Sequence, residues 1–233
     1  MGREDAEKII MGRLKSGGHA LTEPEAKGLL RSYSIPVPRS RVVKDAVQAV
    51  EAAEDIGYPV VLKVVSPDIL HKTEAGGVVI GIKDGRELRE RHAMMVFELA
   101  DEYTAANIEG FLVEEMAPKG VEVIAGVVRD EQFGPLVMFG TGGIAVELMR
   151  DVSFRLAPLT KDEVMGMIAE VKGYPLLTGF RGDTAKDVDA LADTIIKLSE
   201  MVMELEGIEE IEINPLIVHE NGAVAVDARA SLR

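Results

Sequence analysis

Residues 210–228 read EIEINPLIVHENGAVAVDA, which is two apolar, β-branched runs joined by the dipeptide Asn221-Gly222. Asn-Gly between two such runs is the strongest short signal for a β-hairpin with a two-residue turn. The pattern therefore predicts strands over 210–218 and 223–228, so that an antiparallel ribbon lies near the end of the chain.

The predicted hairpin places three oxygen-bearing side chains on one face. A turn centred on Asn-Gly sets Leu216 opposite Asp227 and Asn214 opposite Arg229. Glu212, Asn214 and Asp227 then share a face, and the last two are diagonal neighbours separated by roughly 7 Å or less. Mg²⁺ favours such a sparse set of oxygen ligands, because it completes its shell with water and substrate phosphates. The alternative is a hairpin with a polar outer face.

Upstream of the hairpin, amphipathic helices alternate with short strands. Two capping boxes, Thr22 with Glu25 and Thr160 with Glu163, mark helix N-termini. The run VVLKVV at 60–65 is too apolar for a half-exposed strand and predicts a buried one. The predicted helices span 5–14, 22–33, 45–56, 86–103, 161–172 and 187–205, and the other predicted strands span 78–82, 111–116, 121–128 and 136–139.

Lys63 lies in the middle of that buried strand, where strand packing does not call for an ammonium group. An anionic partner would compensate the charge, and a nucleotide phosphate is one candidate. The other interpretation is a lysine that extends its side chain to water from a sheet edge. Both interpretations fit the pattern equally well.

His71 lies in the loop 66–77, which leaves this strand and ends in two glycines. Glycines let the backbone bend or swing there, and a histidine can act as a covalent nucleophile. The alternative for His71 is an ordinary solvated side chain. That interpretation is the one we expect to hold for the remaining histidines, which are His19, His92 and His219.

Acidic residues end the next predicted strand, in the sequence Val-Glu114-Glu115-Met116. The backbone there would offer a free carbonyl and a free amide at a sheet edge, which are the two groups that an adenine ring reads. The alternative is a solvated strand end. Glu122, alone among the apolar residues of its strand, fits a contact with a ribose hydroxyl or a position beside a solvent channel.

A glycine-rich segment, Gly140-Thr141-Gly142-Gly143, precedes a short apolar run that ends in Glu147. Glycine-rich turns before a helix bind phosphate through their backbone amides. The segment lacks the six-residue dinucleotide fingerprint and the Walker lysine, so neither of those folds is supported. Gly142 and Gly143 are therefore candidate phosphate contacts in a general sense, and Arg155 is another.

Composition limits the kinds of site and partner. The chain has 233 residues, no cysteine and a net charge of −14. Any metal must then be held by oxygen or imidazole ligands, and the negative charge argues against sequence-independent binding of nucleic acid. There is no apolar stretch of about 18 residues and no signal peptide, so we expect a cytoplasmic protein with no membrane partner. Amide side chains are few beside many charged ones, which favours a thermophilic source.

Taken in chain order, these features resemble one known family. The resemblance is carried by Lys63, the His71 loop, 113–116, Gly142-Gly143, and Glu-Ile-Asn-Pro-Leu at 212–216 with Asp227. They are similar to the β subunit of ADP-forming acetyl-CoA (acyl-CoA) synthetases, archaeal relatives of succinyl-CoA synthetase, over the chain from about Leu21 onward. The stretch 212–216 is the most specific part of the match.

The resemblance implies an α/β (α+β) chain with the ATP-grasp fold, in which two lobes clamp ATP or ADP. N-terminal helices over 1–38 would pack on the large lobe, the small lobe would span 39–110 and carry the His71 loop, and the large lobe would span 111–233 and hold the metal. A separate CoA-binding α subunit would carry a first phosphohistidine. The assembly so implied is an α2β2 heterotetramer.

The same resemblance assigns roles to individual residues. Lys63 would contact phosphates, residues 114–116 would hold adenine, and Asn214 with Asp227 would hold Mg²⁺. His71 would match a second histidine that carries phosphate from the α subunit to the nucleotide. The reaction so implied is acyl-CoA + ADP + phosphate ⇌ acid + ATP + CoA, which makes the chain part of an acid–thiol ligase that is active only with its partner.

Two other functions stay open at this point. One is a component of a succinyl-CoA-type or other ATP-grasp ligase, and the other is a non-catalytic module that senses nucleotides. The roles of Glu147 and Glu212, the acyl group, and the choice between ATP and GTP are not assigned by the resemblance.

Overall fold

The computed structural model describes residues 2–69, 71–142 and 151–233. The chain forms two compact units, one made of Met1–Val37 with Ala117–Arg233 and the other of Pro38–Met116. We call them the large unit and the small unit. Within the part that the structure describes, no helix is both long enough and apolar enough to cross a membrane.

Helices and strands alternate over residues 3–65, and runs of one element type follow in the rest of the described chain. The helices are α1 (Arg3–Lys15), α2 (Glu23–Ser32), α3 (Ala46–Ile56), α4 (Gly85–Glu102), α5 (Lys161–Glu170), α6 (Tyr174–Thr178) and α7 (Val188–Glu204). The strands are β1 (Ala20–Leu21), β2 (Ser40–Val43), β3 (Val60–Val65), β4 (Val78–Ile82), β5 (Gly110–Glu115), β6 (Val121–Asp130), β7 (Gly134–Thr141), β8 (Val152–Leu156), β9 (Ile208–His219), β10 (Gly222–Ala225) and β11 (Ala228–Leu232).

The large unit is built on an antiparallel sheet with the strand order β1-β11-β9-β6-β7-β8, and β10 also pairs with β9. Apolar side chains on one face of this sheet, such as Ile211 and Ile213, belong to the same buried core as Leu30 of α2 and Ile195 of α7. Because side chains alternate along a strand, Glu210 and Glu212, which flank Ile211, lie on the other face. We call this other face the outer face of the large sheet.

The small unit is an antiparallel sheet with the order β2-β5-β3-β4. One face packs on α3 and α4, where Leu62 and Val113 share a core with Ala49 and Leu88. All six residues of β3 are buried, as the apolar run predicted. Because β5 begins at Gly110 and pairs within this sheet, the small unit extends to Met116, beyond the boundary predicted at 110.

Local signals gave the main elements correctly. Both capping boxes form, and at the first of them the Thr22 amide donates to Glu25 Oε2 at 2.8 Å. Asp45 caps α3, and Gly57 ends it with a φ of 99°, which is left-handed backbone that favours glycine. The sequence patterns missed the short strands β1 and β2, and also β8 and β11.

His92 contradicts the prediction of a solvated side chain. Its side chain on α4 is 8% exposed and its ring centroid lies 4.4 Å from that of Phe111 on β5. Among the described residues, its Nε2 has no hydrogen-bond partner. Burial lowers the pKa of His92, so the imidazole is an uncharged part of the small unit's core.

Candidate functional site

The terminal hairpin forms in a register two residues away from the predicted one. Gly222 pairs with His219, so the turn residues are Glu220 and Asn221, and the prediction of an Asn221-Gly222 turn is wrong. A shift of two residues preserves which face each side chain occupies, because the side-chain period of a strand is two. The three oxygen-bearing residues therefore keep their common face.

The observed register brings Asn214 directly opposite Asp227 instead of diagonally across from it. The Asn214 amide donates to the Asp227 carbonyl at 3.0 Å, and the Val226 amide donates to the Pro215 carbonyl at 3.0 Å. The Asn214–Pro215 peptide bond is cis. Asn214 is exposed and Asp227 is half-buried, and the two residues lie side by side on the outer face.

The next cross-strand pair on the same face is an ion pair. Glu212 lies opposite Arg229, whose Nη2 is 3.1 Å from Oε1 and 3.2 Å from Oε2 of Glu212. The outer face of this ribbon thus carries Asn214 beside Asp227 and Glu212 beside Arg229. Sequence reasoning placed Glu212 on this face and missed its partner, because the predicted register set Arg229 opposite Asn214.

The amide oxygen of Asn214 and the carboxylate of Asp227 suit a hard cation. Directly opposite residues have Cβ atoms about 4.5–5.5 Å apart, which is within reach of a single ion. Within 2–69, 71–142 and 151–233, no group of three or more His, Asp or Glu side chains is placed to hold a metal. A two-residue set fits Mg²⁺, which takes its remaining ligands from water and phosphate oxygens.

Lys63 and Glu114 form a buried ion pair in the small unit. Lys63 Nζ lies 2.9 Å from Glu114 Oε1, with 5% and 1% of the two side chains exposed. In the register, Val61 is opposite Glu114 and Lys63 is opposite Leu112, so the pair is diagonal and lies on the face away from α3 and α4. Because β3 is an inner strand, the interpretation of Lys63 as an edge lysine is wrong.

The strand end at Glu115 is also different from the prediction. Strand β5 lies between β2 and β3, and the Glu115 amide donates to the Arg39 carbonyl at 2.9 Å. That amide is therefore not a free edge group. The Arg39 guanidinium hydrogen-bonds the Glu115 carboxylate at 3.1 Å and lowers the pKa of Glu115. Met116, the first residue beyond β5, is half-buried.

The loop that carries His71 is anchored at its base. His71 is exposed, while Ile69 and Ala75 on either side of it are buried in the core of the small unit. Gly77 donates to the Lys72 carbonyl at 2.7 Å, and a Cβ added there would lie 2.5 Å from a methyl of Val64. Gly77 therefore serves close packing, whereas Gly76 has a φ of 68°, which is left-handed backbone that favours glycine. The predicted freedom of the loop to bend stays a prediction.

The other candidate contacts lie in the large unit. Glu122 is exposed, and its carbonyl accepts a hydrogen bond of 2.8 Å from the Gly142 amide, so this amide is already engaged. Arg155 forms an ion pair with Glu170. Gly143 and Glu147 lie outside the described residues.

Sequence reasoning missed Asp151. Its carboxylate is 6% exposed and accepts hydrogen bonds from the amides of Lys172 at 2.7 Å and Gly173 at 2.9 Å and from the Thr141 hydroxyl at 3.0 Å. Burial raises the pKa of Asp151, but these three hydrogen bonds outweigh it and the net pKa lies below the ordinary value of 3.8. No sequence motif marks this residue, because its donors come from two distant segments.

Replacing Asp151 with Ala should lower the free energy of unfolding by roughly 2–4 kcal/mol, since it leaves buried donors without an acceptor. A depressed carboxyl pKa stabilises the fold above the unfolded value of 3.8, and this contribution is lost as the pH falls through the folded value. Urea denaturation at pH 7 and at pH 3 measures both effects. A difference between wild type and variant that is equal at the two pH values would contradict the role of the charge.

Comparison with known proteins extends these observations. A family model described as an ATP-grasp domain matches residues 12–232. The chain is 47% identical to the β subunit of ADP-forming acetate–CoA ligase I of Pyrococcus furiosus, and the match covers 100% of each chain.

Solved structures agree with this match. A chain of dinucleotide-forming acetyl-coenzyme A synthetase 1 of Candidatus Korarchaeum cryptofilum, in complex with coenzyme A, Ca-AMPCP and HgCl+, is 44% identical with a TM-score of 0.96, covering 98% of this chain and 100% of that one. A form of that enzyme with coenzyme A and Mg-AMPPCP, whose phosphohistidine segment points towards the nucleotide binding site, is 42% identical with a TM-score of 0.87 and the same coverage. The chain thus has the ATP-grasp fold and belongs to the family of ADP-forming acetate–CoA ligases, in which it corresponds to the β subunit.

Proposed function

We propose that this chain is the nucleotide-binding subunit of an enzyme that interconverts acyl-CoA, ADP and phosphate with the free acid, ATP and CoA. A CoA-binding α subunit completes the enzyme, in an α2β2 heterotetramer. The observation that carries the proposal is the full-length likeness to a chain named as a β subunit of such a ligase. The solved relatives hold coenzyme A with AMPCP or AMPPCP, which are analogues of ADP and of ATP, and this supports the same ligands here.

In this proposal Asn214 and Asp227 hold Mg²⁺, which neutralises phosphate charge when it is bound. Their direct opposition in β9 and the segment before β11 supports the assignment. The neighbouring ion pair engages the carboxylate of Glu212. The metal set is therefore the sparse pair that leaves room for phosphate oxygens.

The small unit supplies a fixed cation for the phosphates. Lys63 carries three N–H donors, and Glu114 orients its ammonium from 2.9 Å. Met116 and the backbone beyond β5 hold the adenine ring, because the amide of Glu115 is already bonded within the small unit. Glu122 of the large unit, which is exposed, contacts the ribose.

His71 carries the phosphoryl group between subunits. A ring nitrogen of His71 forms a P–N bond as the P–N bond of the partner's phosphohistidine breaks. The terminal oxygen of ADP then forms a P–O bond as the His71 P–N bond breaks, which yields ATP and the free imidazole. An exposed histidine on a loop anchored at both sides supports this role, as does the phosphohistidine segment of the solved relative.

Changing Asp227 to Asn should weaken binding of ADP in the presence of Mg²⁺ by at least about tenfold, because the site loses its one charged metal ligand. Isothermal titration calorimetry with ADP, in Mg²⁺ and in EDTA, measures the metal-dependent part. Asp193→Asn, at an exposed position on α7, is the matched control and should bind like wild type. Undiminished Mg-ADP affinity in the Asp227 variant would remove the metal assignment, and a wild-type chain that binds no nucleotide would remove the proposed function.

A further inference from the structure

The outer face of the terminal ribbon carries a positive charge for which no role has been assigned. In residues 208–232 the chain contains one Lys or Arg, which is Arg229. It lies in β11, on the same face as Asp227 two residues before it and opposite Glu212 of β9. The cross-strand pair next to the proposed metal ligands is therefore one cation held by one anion.

The two members of this pair are not equally exposed. The side chain of Glu212 is 16% exposed and that of Arg229 is 52% exposed. Both carboxylate oxygens of Glu212 contact Nη2 of Arg229, at 3.1 and 3.2 Å. Among the described residues, Nε and Nη1 of Arg229 have no hydrogen-bond partner, so the guanidinium keeps donors for a second anion.

Within the described residues, Arg229 is the charged cross-strand neighbour of Glu212. On its other side, Glu212 pairs with Gly126 of β6, which has no side chain. The planar guanidinium suits phosphate oxygens, which Nε and Nη1 can bind while Nη2 stays with Glu212. Glu212 has both oxygens engaged by Arg229, which separates it from the metal ligands.

We propose that Arg229 binds a β- or γ-phosphate of the nucleotide, and that Glu212 is a positioning residue which holds its guanidinium beside Asn214 and Asp227. This inference rests on the proposed function, because it assumes that a polyphosphate lies at the outer face of the ribbon. It extends that function by naming a second fixed cation, in the large unit, and by giving Glu212 a role outside the metal site.

The test compares nucleotides that differ only in their phosphates. Calorimetry of the full chain with AMP, ADP and a non-hydrolysable ATP analogue, at constant Mg²⁺, is carried out for wild type and Arg229→Gln. We expect about tenfold weaker binding of ADP and of the analogue by the variant and no change for AMP, which has no β-phosphate. Arg229→Lys keeps the positive charge but lacks the planar set of N–H donors of a guanidinium, so it should bind ADP with an intermediate affinity.

Arg41→Gln is the matched control, since Arg41 is another half-exposed arginine in a cross-element pair, with Asp55 at 2.7 Å. It should bind all three nucleotides like wild type. Glu212→Gln should weaken ADP binding less than Arg229→Gln, and the double variant should be no weaker than Arg229→Gln alone. Such non-additivity is expected of a positioning residue.

The outcomes separate the two proposals. If wild type binds Mg-ADP and Arg229→Gln binds it equally well, the assignment of Arg229 is overturned and the proposed function stands. Equal losses for AMP and ADP would also overturn it, because the effect would not depend on the added phosphates. Additive losses in the double variant would overturn the positioning role of Glu212. If wild type binds no Mg-ADP, both proposals fall.

Discussion

Replacing His71 with Asn is expected to reduce ATP formation from acetyl-CoA, ADP and phosphate by at least about a thousandfold, because it removes a covalent nucleophile. Asn has a similar size and polarity but no ring nitrogen that can carry a phosphoryl group. His71 is exposed, so its replacement should leave the fold and the affinity for Mg-ADP unchanged. The rate is measured in the complex reconstituted with the α subunit.

A second measurement accompanies the rate. Turnover with labelled phosphate should leave an acid-labile phosphate on the wild-type chain and none on the His71→Asn chain. His19→Asn is the matched control, since His19 is exposed in the large unit and should be silent in both measurements. Full activity of the His71 variant, or a label that persists on it, would show that another group carries the phosphate.

Features that depend on a few neighbouring residues could be predicted from the sequence. The capping boxes of Thr22 with Glu25 and of Thr160 with Glu163 depend on hydrogen bonds that close within three residues, and both form. The buried strand β3 follows from an unbroken apolar run. The short strands β1 and β2 carry no comparable signal, because two to four residues are too few for a pattern.

The common face of Asn214 and Asp227 was predicted from an incorrect register. The dipeptide Asn221-Gly222 favours a two-residue turn, but the observed turn is one residue earlier, which moves every pairing by two positions. An error of one position would have put the pair on opposite faces, whereas an error of two brought the predicted diagonal neighbours directly opposite each other. The same error in register set Arg229 opposite Asn214, so its true partner, Glu212, was not predicted.

The partner of Lys63 could not be predicted, because it depends on strand order. Glu114 reaches Lys63 only when β5 pairs with β3, and nothing local in either strand specifies that pairing against the alternatives. The same holds for Asp151, whose donors lie 10, 21 and 22 residues away along the chain. The apolar run around Lys63 indicates that its charge needs an anionic partner. In the structure, Glu114 of the same chain is that partner.

Changing Lys63 to Met alone should destabilise the small unit by roughly 3–5 kcal/mol, because removing one member of a buried ion pair leaves the other charge in a poorly solvated place. Glu114 is 1% exposed, so water cannot reach its carboxylate in the folded variant without local opening. Urea denaturation followed by circular dichroism measures the loss. The exposed pair of Arg39 and Glu115 is the control, and Arg39→Met should cost less than about 1 kcal/mol.

The double variant Lys63→Met with Glu114→Leu separates stability from binding. Apolar residues of similar volume commonly replace a buried ion pair without loss, so the double variant should recover most of the stability lost in Lys63→Met. A pair kept only for the fold would then leave Mg-ADP affinity intact in the double variant. A pair kept to present an ammonium to phosphate would leave a stable chain whose Mg-ADP affinity is lower by at least about tenfold, since no apolar side chain replaces the charge. We expect the second result. Apolar residues would stabilise this sheet at least as well as a buried ion pair does, whereas only a cation such as Lys63 attracts a polyphosphate.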